Sequence, residues 1–384
     1  MKHWVLIAFV VMCSTCHVRG GTLSDQEFEA KIKKGIDHIY NLEFENADRE
    51  FGELVRERPK DPAGHFFLAM VNWWRILIDL DNKQFDDQFL DSLDQVIDLC
   101  DELLDKNDNN VTALFFKGGA IGFRGRLKFH RNDYFGAASA GKKALPIVQD
   151  ASAADPKNYD VLLGSGIYNY FADVIPSEYP WTKPLLLFLP AGDKKRGMQQ
   201  LTLCAEKGKY AGIECTYFLL QIYYSYEKDY QKALVLALSL NSRFPNNPLF
   251  HRYVGRCYVS TNNWQMVQSV FGDVVAKSEK KQRGYSAASL REGEYYLGLC
   301  DMTNRQYEAA LKHLYKCDEL SRTLDKDEVS GFMVMANLKA GMANDALSRR
   351  ELAEKQYHKV LDMKEYLDSH RQATDFLNTP FPVR

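Results

Sequence analysis

The sequence predicts an all-α fold, a linear array of about seven helical hairpins, and three observations carry this expectation. First, Ala233, Ala237, Leu240 and Pro245 set a small–small–apolar–proline rhythm. Val267, Phe271 and Val274 take it up again 34 residues on, after Gly255 and Tyr258. Second, the rhythm returns at Ala47, Phe51, Leu54 and Pro59, at Ala310, Leu314 and Cys317, and at Ala353, Tyr357 and Val360. Third, a glycine stands about three helical turns ahead of several copies, at Gly35, Gly298 and Gly341. A fixed period of this length marks a supersecondary unit that buries its apolar face against its neighbours. Small residues such as Ala233 and Ala237 let two helices approach, Pro245 stops the second, and Asn246-Asn247 turns the chain.

Composition agrees with one long body. The chain has 384 residues, 46% hydrophobic and 26% charged, which supplies ample core. Its formal net charge of -2 carries no global signal for nucleic acid. At the N-terminus, Lys2 and His3 precede the apolar run Trp4 to Met12, and small and polar residues follow to Gly21. The run is too short to span a bilayer, so residues 1–21 are expected to be a signal peptide and the chain to be exported. Cys13 and Cys16 open an alternative, lipidation, although Met12 and Thr15 fit poorly before a lipidated cysteine. Cys100, Cys204, Cys215, Cys257, Cys300 and Cys317 are expected as buried small hydrophobes. Cys204 and Cys215 lie symmetrically about the turn at Lys209-Tyr210, so a bridge between them stays open.

Taken in order, Ser24 to Glu27 forms a capping box ahead of Phe28, Ile32, Ile36 and Ile39 at helical spacing. Phe66, Phe67, Met70, Trp73, Trp74 and Leu77 mark the next helix, and Phe85 to Leu104 its longer partner. Gly118 and Gly122 share one face of the following helix, where close helix contact offsets a cost of about 1 kcal/mol per glycine. Pro146 is expected to bend or restart the helix after it. Tyr159 to Gly197 breaks the rhythm. Pro176 should end a helix there, Pro180, Pro184 and Pro190 follow, and Asp193 is placed to cap the next helix. We expect an insertion at 176–192, and long loops in compact arrays are often functional. Burial is expected for Leu185 to Leu189. A polar capping helix at 365–378 should close the solenoid of residues 22–384, with Thr379 to Arg384 frayed.

The repeats resemble the tetratricopeptide family over nearly all of the chain beyond residue 21. The stretches DVLLGSGIYNYFADVIP and FLPAGDKKRGMQQL further resemble exported bacterial members of unestablished activity. The resemblance implies a right-handed superhelix whose concave face binds peptides or proteins through side chains of each first helix. Carried over, those positions include Phe218, Ile222, Tyr226, Arg252, Arg256 and Tyr295. Some members grip a C-terminal carboxylate with lysines and asparagines. Here Tyr296 stands where the asparagine would be.

Enzyme signatures are missing. The histidines are scattered singly without HxxxH or HExxH, no GxSxG elbow occurs, and no cofactor or metal is expected. Arg252 and Arg256 lie one turn apart, where an anionic partner would relieve their repulsion. Pairing with a local carboxylate is the default reading. Tyr168, Tyr170, Phe171, Tyr179 and Trp181 gather around the insertion as interface anchors or as core. Lys194, Lys195 and Arg196 occupy a first helical turn and are read as a solvated helix start. The expectation is therefore a non-catalytic scaffold of the bacterial envelope, periplasmic or associated with the outer membrane. It would bind a protein or peptide partner through Phe218, Tyr226, Arg252, Arg256, Tyr295, Tyr168, Tyr170 and Trp181. The rival is a small-ligand binder or enzyme with a pocket built by residues 159–197.

Overall fold

The structure, a computed structural model, describes residues 23–186 and 189–382, with side chains at all of these but 185 and 186. The expected signal peptide, Cys13 and Cys16 lie outside the described residues. So do the side chains of residues 185–188, for which burial was expected.

Helical hairpins follow one another along the chain, eight of them among the described residues. They are α1 (Asp25–Tyr40) with α2 (Phe44–Glu57), α3 (Pro62–Ile78) with α4 (Asp86–Leu104), and α5 (Val111–His130) with α6 (Tyr134–Ala154). In the fourth, α7 (Leu162–Glu178) is separated by the short α8 (Lys183–Leu186) from α9 (Lys194–Lys207). The array continues with α10 (Gly212–Ser225) and α11 (Tyr230–Arg243), then α12 (Pro248–Ser260) and α13 (Trp264–Glu279). It ends with α14 (Ala287–Thr303) and α15 (Tyr307–Leu324), α16 (Gly331–Ala346) and α17 (Arg350–Leu361), and a final α18 (Ser369–Asn378). Each helix packs on the next in sequence, except that α9 packs on α7 past the short α8. This is a tetratricopeptide-type α-solenoid, with one hairpin more than the approximate count expected.

Two local devices build the repeat. The first is a lock between the helices of a hairpin. A Cβ added to Gly35 would fall 2.4 Å from the Phe51 ring, and Gly255 would meet Phe271 at 2.6 Å, Gly298 Leu314 at 2.9 Å and Gly341 Tyr357 at 2.4 Å. In all four the large side chain follows sixteen residues after the glycine. In the fourth hairpin, Gly166 meets Leu201 at 2.8 Å, thirty-five residues on. The lock survives, and the difference measures the insertion. The second device is the turn. Leu42, Asn132, Lys228, Asn262, Arg305 and Ser348 have φ between 54° and 62°, each inside a hairpin. That left-handed residue reverses the chain within two or three positions. Among the described residues, the longer connections of the second and fourth hairpins show none.

Ser24 and Glu27 form the capping box, and Asp193 caps α9 by accepting from the Arg196 amide at 2.9 Å. One proline behaves otherwise than expected: α7 continues to Glu178 past Pro176. Pro146 does not restart α6, which runs from Tyr134 to Ala154 as one helix. Pro176 sits in the last turn, where the missing N–H costs only one bond of a ladder about to end. The tail is not frayed as far as Phe381. Its amide donates to Asp345 Oδ2 at 2.9 Å, its ring packs on Phe376, and Arg350 donates to the carbonyls of Phe376 and Leu377. Asp345 is buried, and the tail supplies one of the donors that a buried carboxylate requires.

The insertion is docked on α7 at its C-terminal end. Added Cβ atoms at Gly192 and Gly197 would come within 2.5 Å of the α7 backbone, at Asn169, Asp173 and Tyr170. Asp173 accepts from the Lys194 amide at 2.8 Å, and Tyr168 donates to the carbonyl of Pro190. All six described cysteines are free thiols and buried. Cys204 and Cys215 face each other within one apolar cluster with Tyr170, Leu201 and Ile222, and burial beside Cys204 raises the Cys215 thiol far above its usual range.

Candidate functional site

The inner face of the array is made by the first helix of each hairpin, and it has two characters. From the first hairpin to the sixth it is closed and filled. One apolar core joins Phe28 to Leu127 with Ile213 to Cys257 and passes over the fourth hairpin, which keeps a separate cluster. At its centre Arg126 of α5 donates to Glu214 of α10 at 2.5 Å, and Tyr40 of α1 donates to the same carboxylate at 2.8 Å. First helices of the first, third and fifth hairpins thus meet at one point. The Arg126 guanidinium lies over Phe218 at 4.5 Å and over Trp73 at 4.9 Å. Tyr40 also packs on Trp74, Phe244 and Phe250. Burial and the Glu214 charge raise the Tyr40 phenol well above its usual range, so it remains a donor.

The closure is made by α1 and the turn after it, which run across three successive connections between hairpins. Glu29 pairs with Lys209 at 2.5 Å and Asp37 with Arg243 at 2.7 Å. Asn247 donates to the Tyr40 carbonyl at 2.8 Å, and Arg283 reaches both the Leu42 carbonyl and Glu45. The contact order along α1 follows the order of the connections, so the helix is a strap laid along the stack.

From Arg252 and Arg256 of α12 onward the inner face carries charged and polar groups. Glu292 of α14 is fully buried and takes both arginines of α12. Arg252 Nε donates to it at 2.7 Å and Arg256 Nε at 2.5 Å. Burial alone would raise its carboxyl, but the Arg252 and Arg256 charges hold it down at about 2. Burial opposes charge on Arg256 too, and Glu292 overrides this and raises it further. Two guanidinium groups on one carboxylate leave one positive charge without a counterion in the trio. Their side chains keep 16% and 26% exposure. Arg256 lies over the Tyr253 ring at 5.3 Å, and Tyr295 of α14 packs edge-on against Phe332 of α16 at 5.4 Å. Further along, Arg291 pairs with Asp325 at 2.7 Å, and Asn337 donates to Asp318 at 2.6 Å.

The residues singled out from the sequence therefore fall in three places. Arg252, Arg256 and Tyr295 share the polar inner face. Phe218 and Ile222 are buried, at 8% and 0% exposure, Phe218 under the Arg126 guanidinium and Ile222 in the separate cluster it shares with Tyr170. Tyr170 is fully buried, with its hydroxyl donating to Glu227, and Tyr226 packs on Tyr170 and Phe171. Tyr168 is spent on Pro190, while Trp181 is 57% exposed and touches Tyr134. No described residue of the insertion belongs to the closed core, which the strap and the Arg126 cluster fill. Glu292 was missed, although an inward position 36 and 40 residues beyond two arginines, about one repeat on, was the signal. Arg126, Glu214 and Tyr40 were missed because nothing local connects them. Among the described residues no group of three or more His, Cys, Asp or Glu is arranged to hold a metal ion. Nor is any helix there long and apolar enough to cross a membrane.

No family model matches the chain, and no curated protein matches it. Solved structures do, at the level of helical repeats. A Rap protein in complex with competence and sporulation factor is 14% identical, with 92% of this chain and 96% of that one covered and a TM-score of 0.46. Human IFIT1 dimer with m7Gppp-AAAA is 12% identical over 92% and 85%, at 0.35. Yeast Tom70 is 11% identical over 92% and 95%, at 0.28.

Proposed function

We propose that the protein is a non-catalytic scaffold that binds a protein or peptide partner on the inner face of its last three hairpins. The carrying observation is the trio Arg252–Glu292–Arg256, which holds an unneutralised positive charge between α12 and α14 beside Tyr295. A buried carboxylate fixes both guanidinium groups in place, so little side-chain entropy is lost when an acidic group docks. The first five hairpins offer no such face, because Phe218, Trp74 and Tyr40 are already packed there. The reading of residues 1–21 as a signal peptide supports an exported protein, periplasmic or at the outer membrane, with lipidation at Cys13 or Cys16 as a tether.

The rival, a pocket at residues 159–197, needs free polar groups converging near Tyr170. The hydroxyls of Tyr168 and Tyr170 are both engaged, and Lys194 pairs with Glu227 at 2.9 Å.

The test places a photoreactive side chain at Tyr295 and, as control, at Leu352, which is 44% exposed on a second helix. Irradiation in the native envelope should yield one dominant protein adduct at 295 and none at 352. Equal adducts at both positions, or none at 295, would end the proposal.

A further inference from the structure

A second surface, far along the chain from the arginine trio, combines exposed aromatics with lysines of one sign. Phe135, the second residue of α6, is 76% exposed, Trp181 57% and Phe129 53%. Phe129 and Trp181 flank Tyr134, at 5.6 Å and, edge-on, 5.4 Å, and Phe135 follows Tyr134 in the first turn of α6. The patch thus joins the end of α5, the start of α6 and the first part of the insertion. The exposed stripe of α6 continues from Phe135 through Ser139 to Lys142, positions that share a helix face. Lys143 and Lys183 are also exposed. Among the described residues, Lys142, Lys143 and Lys183 have no carboxylate within ion-pair distance, whereas Lys128 beside them is paired with Asp133 at 3.0 Å.

We infer that this patch is a membrane-surface contact that seats on an anionic lipid bilayer. Charge complementarity selects the occupant. Protein interfaces are depleted in lysine, but unpaired lysines around apolar side chains are what an anionic headgroup layer attracts. Trp181 and Tyr134 carry an apolar body and a polar tip, the form that settles at the headgroup level, and Phe135 and Phe129 supply apolar surface to bury below it. The chain as a whole has a net charge of -2, so the attraction is local and orients the molecule with this face down. The inference stands apart from the peptide-binding reading and survives its failure.

The test uses the full chain with a photoreactive side chain replacing Phe135 or, as control, Leu352. The probes are vesicles of phosphatidylcholine with phosphatidylglycerol and vesicles of phosphatidylcholine alone. Any contribution from residues 1–22 is common to both positions. Lipid adducts should form at 135, be scarce at 352, and weaken in high salt. Each lysine near an anionic surface is worth about fivefold in binding, so K142E/K143E should cut the adduct at 135 by more than about tenfold. Equal yields at 135 and 352, equal yields on neutral vesicles, or indifference to K142E/K143E would overturn the inference. So would a protein adduct at 135 in the native envelope without any lipid adduct.

Discussion

The first six hairpins and the last two share a repeat but are held together differently. In the closed part, Tyr40 finds partners 174 and 207 residues away, and Arg283 reaches back across 241 positions to Leu42. In the open part, Arg291 pairs with Asp325 at the end of its own hairpin and Arg349 with Glu308 in the neighbouring one. The contrast teaches that one repeat pattern can give a body with a single shared core or a stack of nearest neighbours. The choice rests on a few inward side chains. Where those are aromatic and meet across the array, the face becomes core. Where they are arginines on a carboxylate, it stays wet.

The sharpest way to break the contrast is Glu214→Ala. It leaves the Arg126 charge and the Tyr40 hydroxyl without their acceptor in a packed interior, at a cost of about 3–5 kcal/mol. Urea unfolding should shift by that amount. Hydrogen exchange should show α1 losing protection while α16 and α17 keep theirs. If α1 and α17 lose protection together, the two parts are a single cooperative unit.

Acid should separate the parts as well. Burial, aided by the charges of Arg126 and Arg131, holds His130 down at about 4, and burial with Lys277 does the same for His251. Both must be neutral when folded, so stability falls as pH drops from the ordinary histidine value of 6.5 towards 4. This weakens the third and sixth hairpins by on the order of a few kcal/mol in total. Glu292, depressed from 4.5 to about 2, stabilises the junction of the sixth and seventh hairpins above 4.5 and loses that contribution progressively as pH falls from 4.5 to 2. His313 works in the other direction: its bond to Glu294 raises it, so its contribution is greatest at acid pH and fades as pH rises through that raised value. Melting followed by circular dichroism from pH 7 to 4 should show the decline, and His251→Gln should flatten it.

The glycine lock gives a smaller, paired effect. Gly341→Ala forces a methyl into the Tyr357 ring and should cost about 1–3 kcal/mol. Gly122→Ala meets nothing within 4 Å and should stabilise α5 by roughly 0.5–1 kcal/mol. If both changes destabilise, the lock is not what distinguishes them.

The strap's outer ion pairs should matter least. Glu45 and Arg283 are exposed at 70% and 49%, so Glu45→Gln should change stability by less than about 1 kcal/mol, and less still at high salt. A larger loss would mean that these pairs hold the strap, rather than Tyr40 and its aromatic neighbours.

What could be read beforehand was local. Gly35 with Phe51, or Gly341 with Tyr357, lies within one hairpin, and a fixed spacing exposes it in a single sequence. The Ser24 and Asp193 caps are equally local. The closure was not legible, because Tyr40 reads as one more apolar helical residue and its partners lie two hundred positions on. The arginine trio was half legible: the pair was visible, but its carboxylate belongs to the next repeat. Pro176 misled because proline removes only its own bond to the residue four back and crowds that carbonyl, which one turn at a helix end can absorb.

The strap also sets a timetable. α1 is made first, yet the connections it crosses follow by 206 residues at Arg243 and by 241 at Arg283. At roughly 5–20 residues per second, the ring cannot close until some 10–40 seconds after the strap has been synthesised. In that interval Phe28, Ile36 and Tyr40 have no partner beyond their own and the next few hairpins. The last two hairpins need only their neighbours and can form as they appear. The part of the chain made earliest is thus completed late, and its exposed apolar face during the delay is where a holding chaperone would act.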